Sequence, residues 1–158
     1  MKKLQQEHRE WLAKTFSDQP KWLPAAGMVE EAGELLQSRL KSFREGQWGK
    51  EDRYKHVSWR EEFIDAIGDC GIYICSLCNA MAWDFEYILN EPSAPVTGMT
   101  PIELAVELIL AAANNSANPR EFYVRRYVSI LRGLCYIEGL DLEECIQTTW
   151  QLVKVRKK

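Results

Sequence analysis

Residues 28–36 read MVEEAGELL and residues 61–69 read EEFIDAIGD, and these two acidic stretches decide the fold that the sequence predicts. In both stretches, acidic residues recur three or four positions apart among apolar ones, which is the spacing of one face of an α-helix. The same helical period continues along the chain in both directions, and no segment alternates as a β-strand does. We therefore predict an all-α protein in which two successive helices each carry an acidic stripe.

Capping and helix-breaking residues divide the rest of the chain. The predicted helices cover about residues 4–16, 25–45, 58–82, 84–89, 100–115 and 118–138, with connections at 46–56 and 90–98. Ser58, followed three residues later by Glu61, is the pattern of a capping box, and Asp141 is placed to cap a last helix. Helices of these lengths predict one domain over residues 1–158, built as a bundle of four or more helices.

The two halves of the sequence resemble each other weakly. Residues 77–88 match residues 134–145 at one constant offset, and in the same register Asp69 falls opposite Arg126. One interpretation is a degenerate internal repeat of helical hairpins, in which only the first half carries acids. The other interpretation is the general likeness of any two amphipathic hairpins.

Composition argues against several classes of partner. The net charge is −3 and the pI is near 5.5, so the chain lacks the broad basic surface that duplex nucleic acid requires. No apolar run approaches the roughly 18–20 residues that cross a bilayer, and the polar N-terminus does not resemble a signal peptide. We expect no duplex nucleic acid, no membrane and a cytoplasmic location. There the five cysteines are expected to be thiols, with Cys75 and Cys78 in the core.

The two acidic stripes favour a bound cation. Like charges three or four residues apart destabilise a helix by a few tenths of a kcal/mol per pair, and a cation between the helices would relieve that repulsion. Carboxylates without His or Cys suit Mg²⁺, with Mn²⁺ as the second possibility. Because Mg²⁺ usually binds together with substrate phosphates, a phosphate-bearing substrate is expected. Ala32, Gly33, Ala66 and Gly68 interrupt the stripes and predict close helix approach. Solvated helix faces without a ligand are the alternative.

Residues 30–34 form an EExxE pattern, and Asp69 closes the acidic stripe of the next helix. This pairing resembles the MazG-like all-α nucleoside triphosphate pyrophosphohydrolases, whose pattern is EExxE followed by ExxD on the next helix. The resemblance implies a MazG-like fold and Mg²⁺-dependent cleavage of an NTP or dNTP to the monophosphate and pyrophosphate. It also implies a homo-oligomer, a dimer or tetramer that completes its pockets across subunits. The family's Glu before the final Asp is Ala66 here, and we predict that Asp65 replaces it.

The resemblance and the chemistry of carboxylates together assign roles to particular residues. The predicted metal ligands are Glu31, Glu34, Asp65 and Asp69. Glu30 or Glu62 is expected to orient or deprotonate the attacking water. The residues expected to contact substrate are Tyr73, Lys154, Arg156 and Lys157, and the three cations are also explained by a helix C-terminus, where the helix dipole favours them. Trp48 and Trp59 either stack on a base or pack within the fold.

Two other functions are compatible with the same residues. One is a non-catalytic helical interaction module whose acids bind a structural cation or nothing. The other is a related hydrolase that acts on a different phosphorylated metabolite.

Overall fold

The computed structural model describes residues 1–16, 19–48, 58–91 and 96–155, with the side chains of residues 45–48 outside that description. The described residues form seven α-helices and contain no β-strand, so the prediction of an all-α fold is confirmed. The helices are α1 (Lys2–Thr15), α2 (Leu23–Trp48), α3 (Trp59–Met81), α4 (Phe85–Asn90), α5 (Pro101–Ala117), α6 (Glu121–Glu138) and α7 (Leu142–Val153).

The predicted capping residues begin and end most of these helices. The Ser58 hydroxyl accepts the Glu61 N–H, and the Glu61 carboxylate accepts the Ser58 N–H in return, which completes the capping box of α3. Asp141 caps α7 by accepting the Glu144 N–H. Gly139 ends α6 in the left-handed conformation, with φ 64°, where a residue without Cβ is not strained.

Five predicted boundaries are wrong by two residues or more, and two of them are the starts of α1 at Lys2 and of α2 at Leu23, each two residues before the predicted position. Helix α2 continues through residues 46–48, which were predicted to begin a loop, and α5 runs to Ala117 rather than ending near residue 115. Helix α6 begins at Glu121 and not at residue 118, because Asn118 is extended, as expected of a residue before proline, and Arg120 is extended as the N-cap. The remainder of the first predicted connection, residues 49–56, and residues 92–95 of the second lie outside the described residues.

Helix α3 is the centre of the bundle. It forms a hairpin with α2 on one side and packs against α7 on another, while α1 and α4 contact it elsewhere. Helices α5 and α6 form a second hairpin, in which α5 lies along α2 and α4 packs against α6. The second half of α3 supplies much of the core, since nearly every side chain from Ile72 to Cys78 is buried, whereas residues 79–81 are half-buried.

The apolar character of α3 has two consequences. The prediction that no segment approaches the length and apolarity of a membrane span is wrong for α3, which is long and apolar enough, with a mean hydropathy of 1.2, although 67% of that apolar window is buried inside the bundle. The helix also carries Cys70, Cys75 and Cys78, which are buried free thiols as predicted. Burial raises the pKa of Cys78 to about 12, so this thiol stays neutral.

A buried ion pair joins α2, α3 and α6 towards the C-terminal end of α2. The Arg39 guanidinium is only 8% exposed and lies 2.6 Å from the Glu138 carboxylate. The guanidinium also makes cation–π contacts with two rings of α3. Its Cζ atom lies 5.1 Å from the centroid of the Trp59 ring and 4.9 Å from the centroid of the Phe63 ring. Trp59 therefore packs within the fold.

Glycines bring α3 close to α7. A Cβ on Gly68 would lie 2.7 Å from Thr149 Cβ and 3.1 Å from the Cys145 carbonyl oxygen, and a Cβ on Gly71 would meet Ile146 at less than 3.0 Å. The prediction that small residues allow close packing holds for Gly68, although its neighbour is α7 and not α2. It is wrong for Gly33, because a Cβ there would meet nothing within 4 Å.

Replacing Gly68 should therefore destabilise the protein. We expect Gly68→Ala to lower the free energy of unfolding by about 1–3 kcal/mol, the usual cost of overpacking a core. The Thr149 Cβ is fixed to its backbone and cannot rotate away from the added methyl group. Urea denaturation measures the effect, with Gly33→Ala as the matched control, which should gain about 0.5–1 kcal/mol because a helix-interior glycine is removed. Equal stabilities for the two variants would contradict this account of the α3–α7 contact.

Candidate functional site

A cavity of about 590 Å³ opens between α1, α2 and α3. Its wall has two chemically different ends. Trp11, Phe16 and other apolar residues line one end, whereas Glu30, Glu31 and Asp69 line the other. Because the carboxylates come from α2 and α3 and the rings come mainly from α1 and the residue after it, three separate segments of the chain build one site.

Aromatic rings form the wall on the α1 side. Trp11 lies edge-on to Phe16, with ring centroids 5.7 Å apart, and edge-on to Trp150 of α7 at 6.0 Å. The His8 ring contacts Trp150 in the same manner at 5.3 Å. Rings in these arrangements are mutually attractive and rigid, so this end of the cavity presents a fixed apolar surface to a flat ligand.

His8 is neutral and has a defined tautomer. Its Nδ1 accepts the side-chain amide of Asn79 at 3.1 Å. Its Nε2 lies 3.2 Å from the Ser76 hydroxyl, which itself donates to the Ile72 carbonyl, so Nε2 carries the hydrogen and donates it to Ser76. Burial lowers the pKa of His8 to about 4. The ring therefore adds no positive charge to the cavity near neutral pH.

Polar contacts fix α1 against the rest of the bundle. The Gln5 side chain donates to the Trp83 carbonyl at 2.8 Å and accepts the Phe85 N–H at 3.0 Å. The Trp150 indole N–H donates to the Glu7 carboxylate at 3.0 Å, which lowers the pKa of Glu7. Each contact has a specific donor and acceptor, so α1 and its aromatic side chains are held in one register over the cavity.

The acidic end is built around Glu31. This side chain is only 9% exposed, and its Oε2 atom is buried with no hydrogen-bond partner among the described residues. The pKa of Glu31 is raised from 4.5 to about 8, first by burial and then by the charges of the neighbouring acids, which are, in order of effect, Asp69, Glu34, Glu30 and Asp65. Without a proton or a cation, a charge at this position would be strongly unfavourable.

The predicted metal ligands therefore act on one another but do not form a closed set. Glu31 and Asp69 line the cavity, whereas Glu34 and Asp65 are exposed, are not part of its wall and act on Glu31 through their charge. Among the described residues, no three Asp, Glu, His or Cys side chains converge closely enough to hold an ion. An all-oxygen donor set with an unpartnered buried carboxylate still suits Mg²⁺. Binding requires Glu34 and Asp65 to turn inward, which their exposure permits.

The remaining predicted site residues lie in different places. Glu30 and Tyr73 line the cavity. Glu62 instead pairs with Lys41 of α2, each carboxylate oxygen lying 2.9 Å from Lys41 Nζ, and it is not part of the cavity wall. Lys154 is half-buried, and its charge acts on Glu7.

Two of the predicted substrate contacts cannot be placed, nor can the tryptophan for which stacking and packing are both open, and the described part of the cavity wall carries no permanent positive charge. Arg156 and Lys157 lie outside the described residues, as does the side chain of Trp48. Among the described residues, no lysine or arginine lines the cavity. The negative charge of a ligand in this cavity would therefore not be neutralised by lysine or arginine side chains of the described wall.

The sequence analysis missed the contribution of α1. None of His8, Trp11 and Phe16 is among the predicted site residues, yet all three line the cavity. The available signal was the spacing of His8 and Trp11, three residues apart on one face of an amphipathic helix. That spacing indicates that this face of α1 is buried, but it does not show that a cavity remains between α1 and α2.

Comparisons with protein-family models, with curated proteins and with solved structures found no match to this chain.

The raised pKa of Glu31 predicts a pH-dependent stability in the absence of divalent cations. Below about pH 4.5 both the folded and unfolded chains keep this proton, but between pH 4.5 and about 8 only the folded chain does. The free energy of unfolding therefore falls as the pH rises through that window. Glu31→Gln removes the effect, so its stability relative to the wild type should increase with pH.

Thermal melts in EDTA from pH 4 to pH 9 (roughly the window set by that pKa) measure this difference. Glu144→Gln, which alters an exposed carboxylate of α7, is the control and should follow the wild type. Added Mg²⁺ should raise the melting temperature of the wild type at pH 8 and leave that of Glu31→Gln nearly unchanged. Parallel pH curves for the wild type and Glu31→Gln would refute the assignment.

Proposed function

We propose that this protein is a Mg²⁺-dependent nucleoside triphosphate pyrophosphohydrolase with a MazG-like fold. The observation that carries the proposal is a single cavity that joins a cluster of carboxylates to a wall of aromatic rings. A nucleotide has the same two parts, a polyphosphate that binds Mg²⁺ and a flat base that stacks on aromatic rings. The EExxE pattern of residues 30–34 and the closing Asp69 add the family resemblance.

The acidic end is where the metal would bind. Glu31, Glu34, Asp65 and Asp69 would supply the protein ligands, with Asp65 taking the place of the family Glu that is Ala66 here. A Mg²⁺ ion held by these residues would supply positive charge against the phosphates and Lewis-acid polarisation of the phosphoryl group. The lack of Lys and Arg among the described cavity residues makes this ion the main compensation for a triphosphate.

The aromatic end is the expected position of the base. Stacking of a base on an aromatic side chain contributes about 1–3 kcal/mol and does not require a particular base. Trp11 and Phe16 offer such surfaces, and neutral His8 adds a third ring whose nitrogens are already hydrogen-bonded. This wall supports binding of a nucleotide but does not select among bases.

Glu30 is the stronger candidate for the group that orients the attacking water. It lines the cavity and is exposed, so water reaches it, whereas Glu62 is held by Lys41. In the proposed step, water attacks the α phosphorus and its proton passes to the Glu30 carboxylate. The bond from the α phosphorus to the bridging oxygen breaks, and pyrophosphate leaves with that oxygen.

The internal repeat remains part of the proposal. Helix α4 follows the first hairpin (α2 and α3) but packs on α6 of the second. Helix α7 follows the second hairpin (α5 and α6) but packs on α3 of the first, so each of these helices packs on the other hairpin. Arg126, which aligns with Asp69, lies 3.9 Å from Glu107 of α5. In the second hairpin a guanidinium would then occupy the place that a metal ion takes in the first. The predicted homo-oligomer and cytoplasmic location stay predictions.

One observation favours a second candidate function. The absence of a preassembled ligand set among the described residues fits a non-catalytic helical module whose acids bind a structural cation weakly. A hydrolase of another phosphorylated metabolite would use the same acidic end without needing the aromatic wall.

Pyrophosphate release tests the proposed activity. Incubation with a panel of NTPs and dNTPs plus Mg²⁺ should give a nucleoside monophosphate and pyrophosphate from at least one of them. Asp69→Asn should reduce the rate by more than about 100-fold. Loss of a residue that only hydrogen-bonds a metal ligand already costs about 10–100-fold in activity, and loss of the ligand itself costs more. Glu144→Gln, which changes an exposed acid away from the cavity, should retain the wild-type rate. Metal binding without turnover of any nucleotide would favour the non-catalytic module.

The contrast between Glu30 and Glu62 gives a second test. Glu30→Gln should lower kcat by about 10²–10⁴-fold, the range for a lost general base, and should leave folding intact because the side chain is exposed. Glu62→Gln should keep kcat within about twofold and lower stability by at most about 1 kcal/mol, the scale of a single ion pair. A larger loss of kcat in Glu62→Gln than in Glu30→Gln would reverse the assignment.

A further inference from the structure

At the cavity, Gly27 of α2 lies directly against the ring of Tyr73 of α3. Gly27 is buried, Tyr73 is half-buried, and both line the cavity. A Cβ built on Gly27 would lie less than 3.0 Å from three atoms of the Tyr73 ring. The ring is therefore seated directly on the backbone of α2, in space that any other residue at position 27 would fill.

This contact lies between the two ends of the cavity. On α2, Gly27 is one turn before Glu31, about 6 Å along the helix axis, and the apolar lining residues Leu23 and Pro24 lie one turn the other way. On α3, Tyr73 is one turn after Asp69 and three residues before Ser76, the partner of His8. Both helices thus change from acidic to apolar lining at the level of the Gly27–Tyr73 contact.

We propose that Gly27 is a specificity-determining position, which seats the Tyr73 ring in α2 and so keeps open the passage where the sugar of a nucleotide would lie. The inference rests on the proposed function, since it assigns the middle of the same cavity. A side chain at position 27 would overlap the Tyr73 ring and displace it from α2, and we infer that the ring would move towards the cavity that both residues line. A residue larger than glycine therefore narrows the passage and separates the aromatic end from the acidic end.

The mechanism predicts that ligands are affected according to their length. A nucleotide spans both ends and requires the passage, whereas inorganic tripolyphosphate reaches only the acidic end. Gly27→Ala should therefore weaken nucleotide binding and spare tripolyphosphate binding. A general loss of structure would weaken both.

The experiment measures dissociation constants by calorimetry with Mg²⁺. The probes are inorganic tripolyphosphate and the α,β-methylene analogues of ATP, GTP, CTP, UTP and their 2′-deoxy counterparts. For the analogue that binds the wild type best, Gly27→Ala should raise the dissociation constant by about 10–100-fold, the scale of an ångström-sized displacement in a site. The constant for tripolyphosphate should change by less than about twofold. Gly33→Ala is the matched control, because Gly33 lies on the same helix and a Cβ added there would meet no other side chain or helix within 4 Å. This variant should match the wild type with both probes.

A double-mutant cycle identifies Tyr73 as the residue through which Gly27 acts. Tyr73→Leu removes the ring that the new methyl group would displace. Introducing Gly27→Ala into the Tyr73→Leu background should therefore change nucleotide affinity by less than about twofold, so that the two substitutions are strongly non-additive. This arm holds even if Gly27→Ala alone is poorly folded, because the double variant relieves the clash.

The outcomes separate the inference from the proposed function. If no analogue binds the wild type, both are overturned. If an analogue binds the wild type and Gly27→Ala equally well, or if Gly27→Ala weakens tripolyphosphate binding as much as nucleotide binding, the inference alone is overturned. Additive effects in the cycle also contradict it.

Discussion

The burial of the Glu31 carboxyl where α2 meets α3 is the constraint on which the site depends. Four other acids raise the pKa of this group beyond the effect of burial alone, and its Oε2 atom has no hydrogen-bond partner in the described part of the chain. A folded protein can accommodate such a group in two ways, by keeping it protonated or by binding a cation beside it. Helix α3 cannot withdraw from it, because the same helix forms the core of the bundle.

The packing around α3 explains why the acids stay together despite their repulsion. Gly68 and Gly71 fix α3 against α7, and the Tyr73 ring lies on α2 at Gly27. Towards the other end of α2, the buried Arg39–Glu138 pair ties α2 to α6. With α2 and α3 held at both ends of the hairpin, the repulsion between carboxylates cannot be relieved by separating the helices. It is relieved by a proton on Glu31 or by a ligand.

Sequence reasoning predicted the helices well because their signals are local. The capping box at Ser58 and the stop at Gly139 depend on residues within one turn, and both appear as predicted. The acidic stripes follow from spacing alone. The ends of α2 and α5 were misplaced because Gly46 and Asn115 weaken a helix without ending it when the flanking turns remain favourable.

The site was less predictable because it depends on contacts between distant parts of the chain. No local pattern distinguishes Gly27 from Gly33. A Cβ added at Gly27 would overlap an aromatic ring, whereas a Cβ added at Gly33 would meet nothing within 4 Å. Glu62 and Lys41 are 21 positions apart in the sequence, and they pair only because of the way in which α2 and α3 are oriented against each other. The enclosure of the cavity by α1 depends on polar contacts such as that of Gln5 with Trp83, which leave no periodic trace in the sequence. Such features arise from tertiary packing.

Proton release on Mg²⁺ binding tests the central claim most directly. Titration of Mg²⁺ into metal-free protein at pH 7 (below the pKa of about 8 for Glu31), in two buffers of different ionisation enthalpy, gives the number of protons released for each ion bound. Because Glu31 is mostly protonated at that pH and a ligand must lose its proton, the wild type should release about one proton and Glu31→Gln none. An absence of Mg²⁺ binding, or the same proton release from both proteins, would contradict a cation site at Glu31.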